Sequence, residues 1–289
     1  MRTVWILAGC VGLLRAQPTP KFEVVSVKPC RPDATRQRSS NKPPSGPAEI
    51  LTINCQTVER MIEDAYDAYA TGRLRFRANP VPLEGAPDWV RTERFTIQAK
   101  AESPQSRVTM HGPMLQRLLE DRFQLKLRRE PKEVPVYVLT VAKGGPKNLE
   151  PAKAGACLTW DLDHMPTIRP GGEDTPCGLI GRRIDGGVGH VEIRGASMAT
   201  MAEQLSILMD RDVIDKTGLA GTFDFHVEVP ADELSADSSA APRDDAPKRA
   251  VDESALAFAA VRRLGLKLEA AKGLGEVFVI ERVERPTEN

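Results

Sequence analysis

The sequence of 289 residues predicts an α+β protein in which a helix-strand-strand-helix-strand-strand unit occurs twice, with mixed sheets packed against helices. Three observations lead to this prediction. A stretch that begins at Arg122 aligns without a gap with a stretch that begins at Arg263, at an offset of 141 positions. Runs of alternating or β-branched apolar residues, typical of strands, stand beside short amphipathic helical patterns. With 41% hydrophobic and 28% charged residues, the composition is that of a globular protein.

The first unit is expected over residues 51–143. It opens with a strand at Leu51 and a helix that the Thr57 hydroxyl caps. The strand RFTIQAKA follows, and then a second helix, PMLQRLLEDRF. The apolar faces of the two helices hold Val58, Met61, Ile62 and Ala65, and Leu115, Leu118, Leu119 and Phe123. The stretch RFQLKLRREPKEVPVYVL ends the unit and predicts a strand, a turn and a second strand.

The second unit is expected over residues 190–289 and repeats this order. A strand at Val191 leads into a helix capped by Ser197, and the strand TFDFHVEV and the helix ESALAFAAVRRL follow. The apolar faces of these helices hold Met198, Met201, Leu205 and Leu208, and Leu256, Ala260 and Leu264. The stretch RLGLKLEAAKGLGEVFVI again predicts strand, turn and strand. Residues 231–252, which are charged and rich in Ala, Ser and Pro, are expected to be disordered.

Two further segments lie outside the units. Residues 17–50 predict an N-terminal strand followed by an irregular loop rich in Pro and Ser. Residues 144–189 form an insertion that contains two cysteines and is longer than an ordinary connection. A segment of this length is either functional or an Ω-type loop closed by a crosslink.

The N-terminal stretch MRTVWILAGCVGLLRAQPTP has the pattern of an export signal: a basic residue, a short apolar run and small residues before the expected cut. We expect residues 1–16 to be removed near Ala16, since the run is too short to anchor in a bilayer. In an alternative, the box that ends at Cys10 marks a lipoprotein anchored through that cysteine. Either way the protein is expected outside the cytoplasm, periplasmic or extracellular, with no transmembrane segment in the mature chain.

Export changes what the cysteines predict. Without the signal, four remain: Cys30, Cys55, Cys157 and Cys177. An even number in an oxidising compartment favours disulfides, with Cys30 to Cys55 and Cys157 to Cys177 as the local pairings among three formal connectivities. There is no Cys-x-x-Cys pair and no His pair close in sequence, so the spacing predicts neither a metal site nor a cofactor.

The charge pattern says little about a ligand. The 40 basic and 40 acidic residues cancel, so no overall field attracts nucleic acid. On a strand, Arg73 and Arg75 would share one face and could receive an anion, although a charged edge strand is the simpler interpretation. Trp160 in the insertion could stack on a ligand or pack internally, whereas Trp89 is expected to anchor a loop to the core.

No catalytic residues are predicted. Lys216-Thr217-Gly218 matches one signature of penicillin-recognising serine enzymes, but its partner motifs lack their context, so a turn between two strands is expected. The acidic pair and histidine of DLDH, at residues 161–164, are expected to form a polar loop rather than a metal site. The four histidines, His111, His164, His190 and His226, lie far apart in the sequence.

Several stretches carry a family resemblance. FEVVSVKPC, TVERMIEDAY, VIDKTGLAGTFDF and LGLKLEAAKGLGEVFVIERVERPTEN resemble the soil-associated secreted proteins of Acidobacteria, a family of unknown function. This resemblance extends over nearly all of the chain after the expected signal; it implies export and a shared fold, but no activity. The element order of the second unit also resembles the short N-terminal domain of secretins and TonB-dependent receptors, which implies a protein partner in the periplasm.

We therefore predict an exported cell-envelope protein that binds a protein partner or a small ligand, and we favour this binding role over an enzymatic one. Two alternatives stay open. One is a secreted hydrolase of a polysaccharide or peptide, with its site between the units, which would need a pocket with converging carboxylates or a nucleophile and base. The other is a sensor ectodomain that works with a membrane partner.

Overall fold

The computed structural model describes residues 20–30, 46–70, 80–164, 175–186, 188–230 and 253–286. The strands are β1 (Phe22–Cys30), β2 (Ala48–Thr57), β3 (Leu83–Glu84), β4 (Arg94–Gln105), β5 (Lys126–Val141), β6 (Glu150–Pro151), β7 (Gly181–Asp185), β8 (Val188–Ala196), β9 (Val213–Asp215), β10 (Phe223–Pro230) and β11 (Leu266–Arg282). The α-helices are α1 (Val58–Glu63), α2 (Trp89–Thr92), α3 (Arg107–Thr109), α4 (Leu115–Arg122), α5 (Met198–Leu208) and α6 (Glu253–Arg263). Two π-helical turns span Asp64–Ala68 and Met110–Met114.

The strands form three sheets, which confirms the predicted α+β class. The first sheet has the order β1-β4-β2 and the second the order β6-β10-β8-β7, and all of their pairings are antiparallel. The third has the order β3-β11-β5-β9. Here β5 and β11 are antiparallel to each other, while the short strands β3 and β9 run parallel to β11 and β5. Thus β4 lies beside β2 in the first half as β10 lies beside β8 in the second.

Local sequence signals place the helices as predicted. The Thr57 hydroxyl accepts a hydrogen bond from the Arg60 backbone N–H at the start of α1, and the Ser197 hydroxyl accepts one from Thr200 at the start of α5. Each cap satisfies one of the backbone N–H groups that a helix start leaves unpaired. The predicted apolar faces are buried: Val58, Met61, Ile62 and Ala65; Leu115, Leu118, Leu119 and Phe123; Met198, Met201, Leu205 and Leu208; Leu256, Ala260 and Leu264.

The predicted strand-turn-strand ends of both units are wrong. β5 continues without a turn from Lys126 to Val141, and β11 continues from Leu266 to Arg282. The two long strands pair with each other along their whole length, from Leu266 opposite Val141 to Arg282 opposite Lys126. This pairing gives the backbone N–H and C=O groups the partners that a local hairpin would have supplied.

Because of this pairing, each long strand passes from one hydrophobic core to the other. The first core, around α1 and α4, contains Phe278 and Ile280 from β11. The second core, around α5 and α6, contains Leu139 from β5 beside Leu266 from β11. Each half of the molecule therefore completes its core with side chains from the other half.

The register of this pairing is symmetric. The offset of 141 positions found in the sequence aligns Glu133 with Leu274, and these two residues pair with each other near the middle of β5 and β11. The same offset aligns Tyr137 with Phe278. Tyr137 pairs with the first residue of β9 and Phe278 with the first residue of β3. These relations support the hypothesis of an internal duplication, which stays a prediction.

Two disulfides crosslink the described part of the chain. Cys30, at the end of β1, is bonded to Cys55 in β2, so the bond links the two edge strands of the first sheet. Cys157 is bonded to Cys177 and closes the insertion. This second disulfide lies against Gly195 in β8, where an added Cβ would lie 2.5 Å from the Cys157 sulfur. Gly195 also has a φ of +61°, so only glycine suits this position.

Candidate functional site

The second sheet has one face in the core and one face outward. On β8, Val191 and Ile193 are buried, whereas His190 and Glu192 point to the opposite face. On β10 the buried residues are Phe225, Val227 and Val229, and the residues between them are His226 and Glu228. This alternation follows from the period of two in a strand.

The register of β8 and β10 gathers four of these outward side chains, His190, Glu192, His226 and Glu228, which we call the histidine–glutamate quartet. His190 lies opposite Glu228, and Glu192 lies opposite His226. The nearest Glu228 oxygen is 3.6 Å from His190 Nδ1 and 3.8 Å from His226 Nε2. The other His226 nitrogen, Nδ1, lies 3.8 Å from a Glu192 oxygen. The two imidazole rings have their centroids 5.7 Å apart.

The members of the quartet differ in exposure. The His190 side chain is only 14% exposed, and that of Glu228 is 62% exposed. Among the residues that the structure describes, His190 Nδ1 has no hydrogen-bond partner, because its distance to Glu228 is too long for such a bond. A buried polar atom without a partner typically costs about 1–3 kcal/mol. The site therefore contains a ring nitrogen, His190 Nδ1, that could bind a ligand.

Two imidazoles and a carboxylate form a set of donors suited to a transition-metal ion. His190, His226 and Glu228 offer one ligand atom each, and these atoms lie within 4.8 Å of one another. The sequence analysis predicted no metal site because the histidines are far apart along the chain. The signal it missed is the tripeptide His-Val-Glu, which occurs at His190 and again at His226. Two such tripeptides on paired antiparallel strands bring each histidine opposite a glutamate.

The first sheet carries different residues at the corresponding positions. Aligning Leu51 with Val191, and RFTIQAKA with TFDFHVEV, matches His190 to Ile50, His226 to Gln98 and Glu228 to Lys100. Ile50 pairs with Lys100 across β2 and β4, as His190 pairs with Glu228 across β8 and β10. Ile50 is 61% exposed. The same position in the scaffold is thus compatible with residues that bind no metal.

The other site residues predicted from the sequence either lie apart from the quartet or fall outside the described residues. The Trp160 indole N–H donates a hydrogen bond of 2.9 Å to the Cys177 carbonyl, so this ring supports the closed insertion. Trp89 packs in the first core as predicted, with the Arg285 guanidinium 5.1 Å from its ring centre. Arg73 and Arg75 lie outside the described residues, as do the expected signal at 1–16 and the segment 231–252.

Residues of DLDH and of DKTG make hydrogen bonds within the protein. Asp163 is buried, and its carboxylate accepts a hydrogen bond of 2.8 Å from the Arg107 backbone N–H. The hydrogen-bonded His164 side chain holds the pKa of Asp161 below its usual range. In DKTG, the backbone N–H and the hydroxyl of Thr217 both donate to Asp215, which closes the predicted turn between β9 and β10.

A cavity of about 340 Å³ lies where the two halves meet, which is where the hydrolase alternative would place its active site. Its lining includes three acidic residues, Asp210, Asp212 and Glu276. Arg211 forms an ion pair of 2.8 Å with Asp210 and, through its hydrogen bonds, holds the pKa of that carboxyl below its usual range. Arg129 lies 2.9 Å from Glu276. Asp210 and Glu276 are thus each engaged in an ion pair with an arginine.

His111, in the first half, is a second histidine whose environment is unusual. Its ring stacks on Tyr69 with the centroids 5.0 Å apart, and its Nδ1 has no hydrogen-bond partner within the described ranges. Burial and, to a smaller extent, the charge of Arg107 together lower the pKa of His111 from its ordinary value of 6.5 to about 4. The folded protein therefore holds this ring neutral at neutral pH.

We expect His111 to make folding sensitive to acid. The unfolded chain takes up a proton on this ring near pH 6.5 and the folded chain only near pH 4, so proton uptake lowers the free energy of unfolding as the pH falls between these values. The His111 ring leaves the free energy of unfolding unchanged above pH 6.5 and lowers it by about 3 kcal/mol as the pH drops towards 4.

Urea unfolding near neutral pH and at about pH 4.5 measures this effect. The variant His111→Phe keeps a ring beside Tyr69 and is expected to lose less stability on acidification than the wild type. His164, whose side chain is 72% exposed, provides the control His164→Phe, which should behave as the wild type does. An equal loss in His111→Phe and in the wild type would contradict the role of His111.

Comparison with known proteins identifies a family but no activity. Residues 60–283 match the family described as "Protein of unknown function (DUF3738)". The chain belongs to this family. Searches among curated proteins and among solved structures found no significant match. No helix in the described part of the chain combines the length and the apolar character needed to cross a bilayer.

Proposed function

We propose that this protein is exported from the cytoplasm and binds a ligand on the outward face of its second sheet. The histidine–glutamate quartet is the observation that carries this proposal. Its four side chains come together on the outward face of the sheet, where solvated polar residues would be enough, and the Nδ1 atom of the mostly buried His190 side chain has no hydrogen-bond partner among the described residues. A few convergent polar groups are what fixes the orientation of a ligand in a binding site, and the quartet supplies such groups.

The disulfides and the N-terminal pattern support export. Disulfides persist in oxidising compartments and are rare in the cytoplasm. Here one disulfide links edge strands in the first half and the other closes the insertion before β8. The basic residue, apolar run and small residues at 1–16 match the anatomy of an export signal.

The first half supplies a matched control for this proposal. In the exchange variant, His190→Ile, His226→Gln and Glu228→Lys place the first-sheet residues on the second sheet. Because the first sheet pairs Ile50 with Lys100 in the same arrangement, the variant is expected to fold. It changes the quartet and leaves both cores unchanged.

One experiment tests export and binding together. The full chain, produced in a bacterium with a periplasm, is expected in the extracytoplasmic fraction, cut near Ala16 and with both disulfides formed. Native mass spectrometry of this material should show bound mass on the wild type and none on the exchange variant. Cytoplasmic retention with free thiols would contradict export. Equal bound mass on the two proteins, or none on either, would contradict binding at the quartet.

A further inference from the structure

We propose that His190, His226 and Glu228 bind one divalent transition-metal ion of the zinc class. This inference rests on the proposed function, because it names the ligand of the same face. The donor atoms are His190 Nδ1, His226 Nε2 and a Glu228 carboxylate oxygen. Two nitrogens and one oxygen favour zinc and its neighbours over calcium or magnesium, which prefer oxygen ligands.

The spacing of the donors is close to what such an ion needs. Metal–ligand bonds of about 2.0–2.1 Å in a tetrahedron put the donor atoms about 3.4 Å apart. The Glu228 oxygen lies 3.6 Å from one histidine nitrogen and 3.8 Å from the other. The two histidine nitrogens must still move closer to each other. The His226 side chain is 48% exposed, so it has room to rotate. Side-chain rotations alone would therefore bring the three ligand atoms around the ion.

Glu192 supplies the outer contact that metal-binding histidines usually have. A ligating imidazole typically donates its second N–H to a carboxylate, which fixes the tautomer and the orientation of the ring. His226 has Glu228 near Nε2 and Glu192 near Nδ1, at 3.8 Å in both cases. One nitrogen is thus placed for the ion and the other for the orienting carboxylate. Glu192 is a positioning residue in this arrangement.

An ion would also satisfy the buried His190 nitrogen. Within the described residues this atom lacks a hydrogen-bond partner, and it is the His190 nitrogen that faces Glu228. The competing explanation is a cluster of histidine–glutamate ion pairs that forms only when the histidines are protonated. If the four residues serve only as such ion pairs, no saturable Zn²⁺ binding is expected near neutral pH, so the two explanations give opposite results in a titration.

Three protein donors leave one position of a tetrahedral ion open. In zinc proteins, sites with three protein ligands hold a water molecule or an external donor in that position. The open position would face outward, because Glu228 and His226 are both exposed. The ion would therefore link the outward face of the second sheet to a donor atom of a bound partner.

The test is a titration of the full chain, without a histidine tag, after chelator treatment and with the disulfides intact. Isothermal calorimetry near neutral pH is expected to show one Zn²⁺ per chain and no binding of Mg²⁺. Cobalt(II) should give the visible absorption of a tetrahedral site. The exchange variant should lose more than about 100-fold in Zn²⁺ affinity, beyond the 10–100-fold typical of losing an outer contact.

Two single variants sharpen the result. Glu192→Gln keeps all three metal ligands and should weaken Zn²⁺ binding by about 10–100-fold. His164→Gln removes an exposed histidine outside the quartet and should bind as the wild type does. Circular dichroism spectra and thermal unfolding curves, compared between each variant and the wild type, test whether the fold is retained.

The outcomes separate this inference from the proposed function. No saturable Zn²⁺ binding by the wild type, or equal binding by the exchange variant, overturns the metal site. If the exported protein then still carries another bound species that the exchange variant lacks, the proposed function stands alone. Stoichiometric Zn²⁺ binding by a protein that is retained in the cytoplasm supports the metal site and overturns export.

Discussion

Replacing Phe278 by alanine is expected to lower the free energy of unfolding by about 3–5 kcal/mol, the usual cost of removing a buried aromatic ring. Phe278 belongs to the second half in sequence, but its side chain is 1% exposed and lies in the first core. There it meets Tyr66 edge to face, with ring centroids 6.5 Å apart. We therefore expect a C-terminal substitution to destabilise the N-terminal half.

Tryptophan fluorescence can follow this effect in each half. Trp89 lies in the first core, and Trp160 lies in the insertion beside the Cys157–Cys177 disulfide. Each tryptophan is followed in a chain that lacks the other one. Phe278→Ala should shift the urea midpoints reported by Trp89 and by Trp160 together, because β5 and β11 each contribute to both cores. The control Leu274→Ala removes a side chain in the same strand that is 79% exposed, and it should change stability by no more than about 0.5 kcal/mol. An unchanged Trp89 transition in Phe278→Ala would show that the first core does not depend on β11.

Reducing both disulfides is expected to cost about 6 kcal/mol in total, which is comparable to the whole stability of many domains. The bonded cysteines are 25 residues apart in one disulfide and 20 in the other. Loops of this size restrict the unfolded chain enough to contribute about 3 kcal/mol each in the chain-entropy account. The reduced protein should therefore be largely unfolded at moderate urea concentrations where the oxidised protein is folded.

Urea unfolding of two double variants separates the contributions. Cys30→Ala with Cys55→Ala, and Cys157→Ala with Cys177→Ala, should each lose about 3 kcal/mol. A chain with all four substitutions is the control, since a reductant should leave its urea midpoint unchanged. If a reductant also leaves the wild-type midpoint unchanged, the disulfides contribute nothing to stability and this expectation is wrong.

The sequence by itself determined the features that depend on neighbouring residues. Thr57 and Ser197 begin helices because a hydroxyl reaches an N–H three residues ahead, and this contact is encoded within one turn. The DKTG turn follows for the same reason, since Asp215 accepts from a residue two positions ahead. The local pairing of the cysteines and the packing of Trp89 were also within reach of the sequence. The α+β class rests on patterns of the same short range.

Only the tertiary structure decided which strands pair and in what register. The sequence predicted a hairpin at the end of each unit, because a short-range turn and a long-range partner leave the same alternating pattern. The structure instead pairs β5 with β11, residues about 140 positions apart, and so exchanges Phe278 and Leu139 between the cores. The quartet arises in the same way. His190 and His226 are 36 positions apart, and only the β8–β10 register places each opposite a glutamate. Register is set by the packing of whole faces, so no single stretch of sequence contains it.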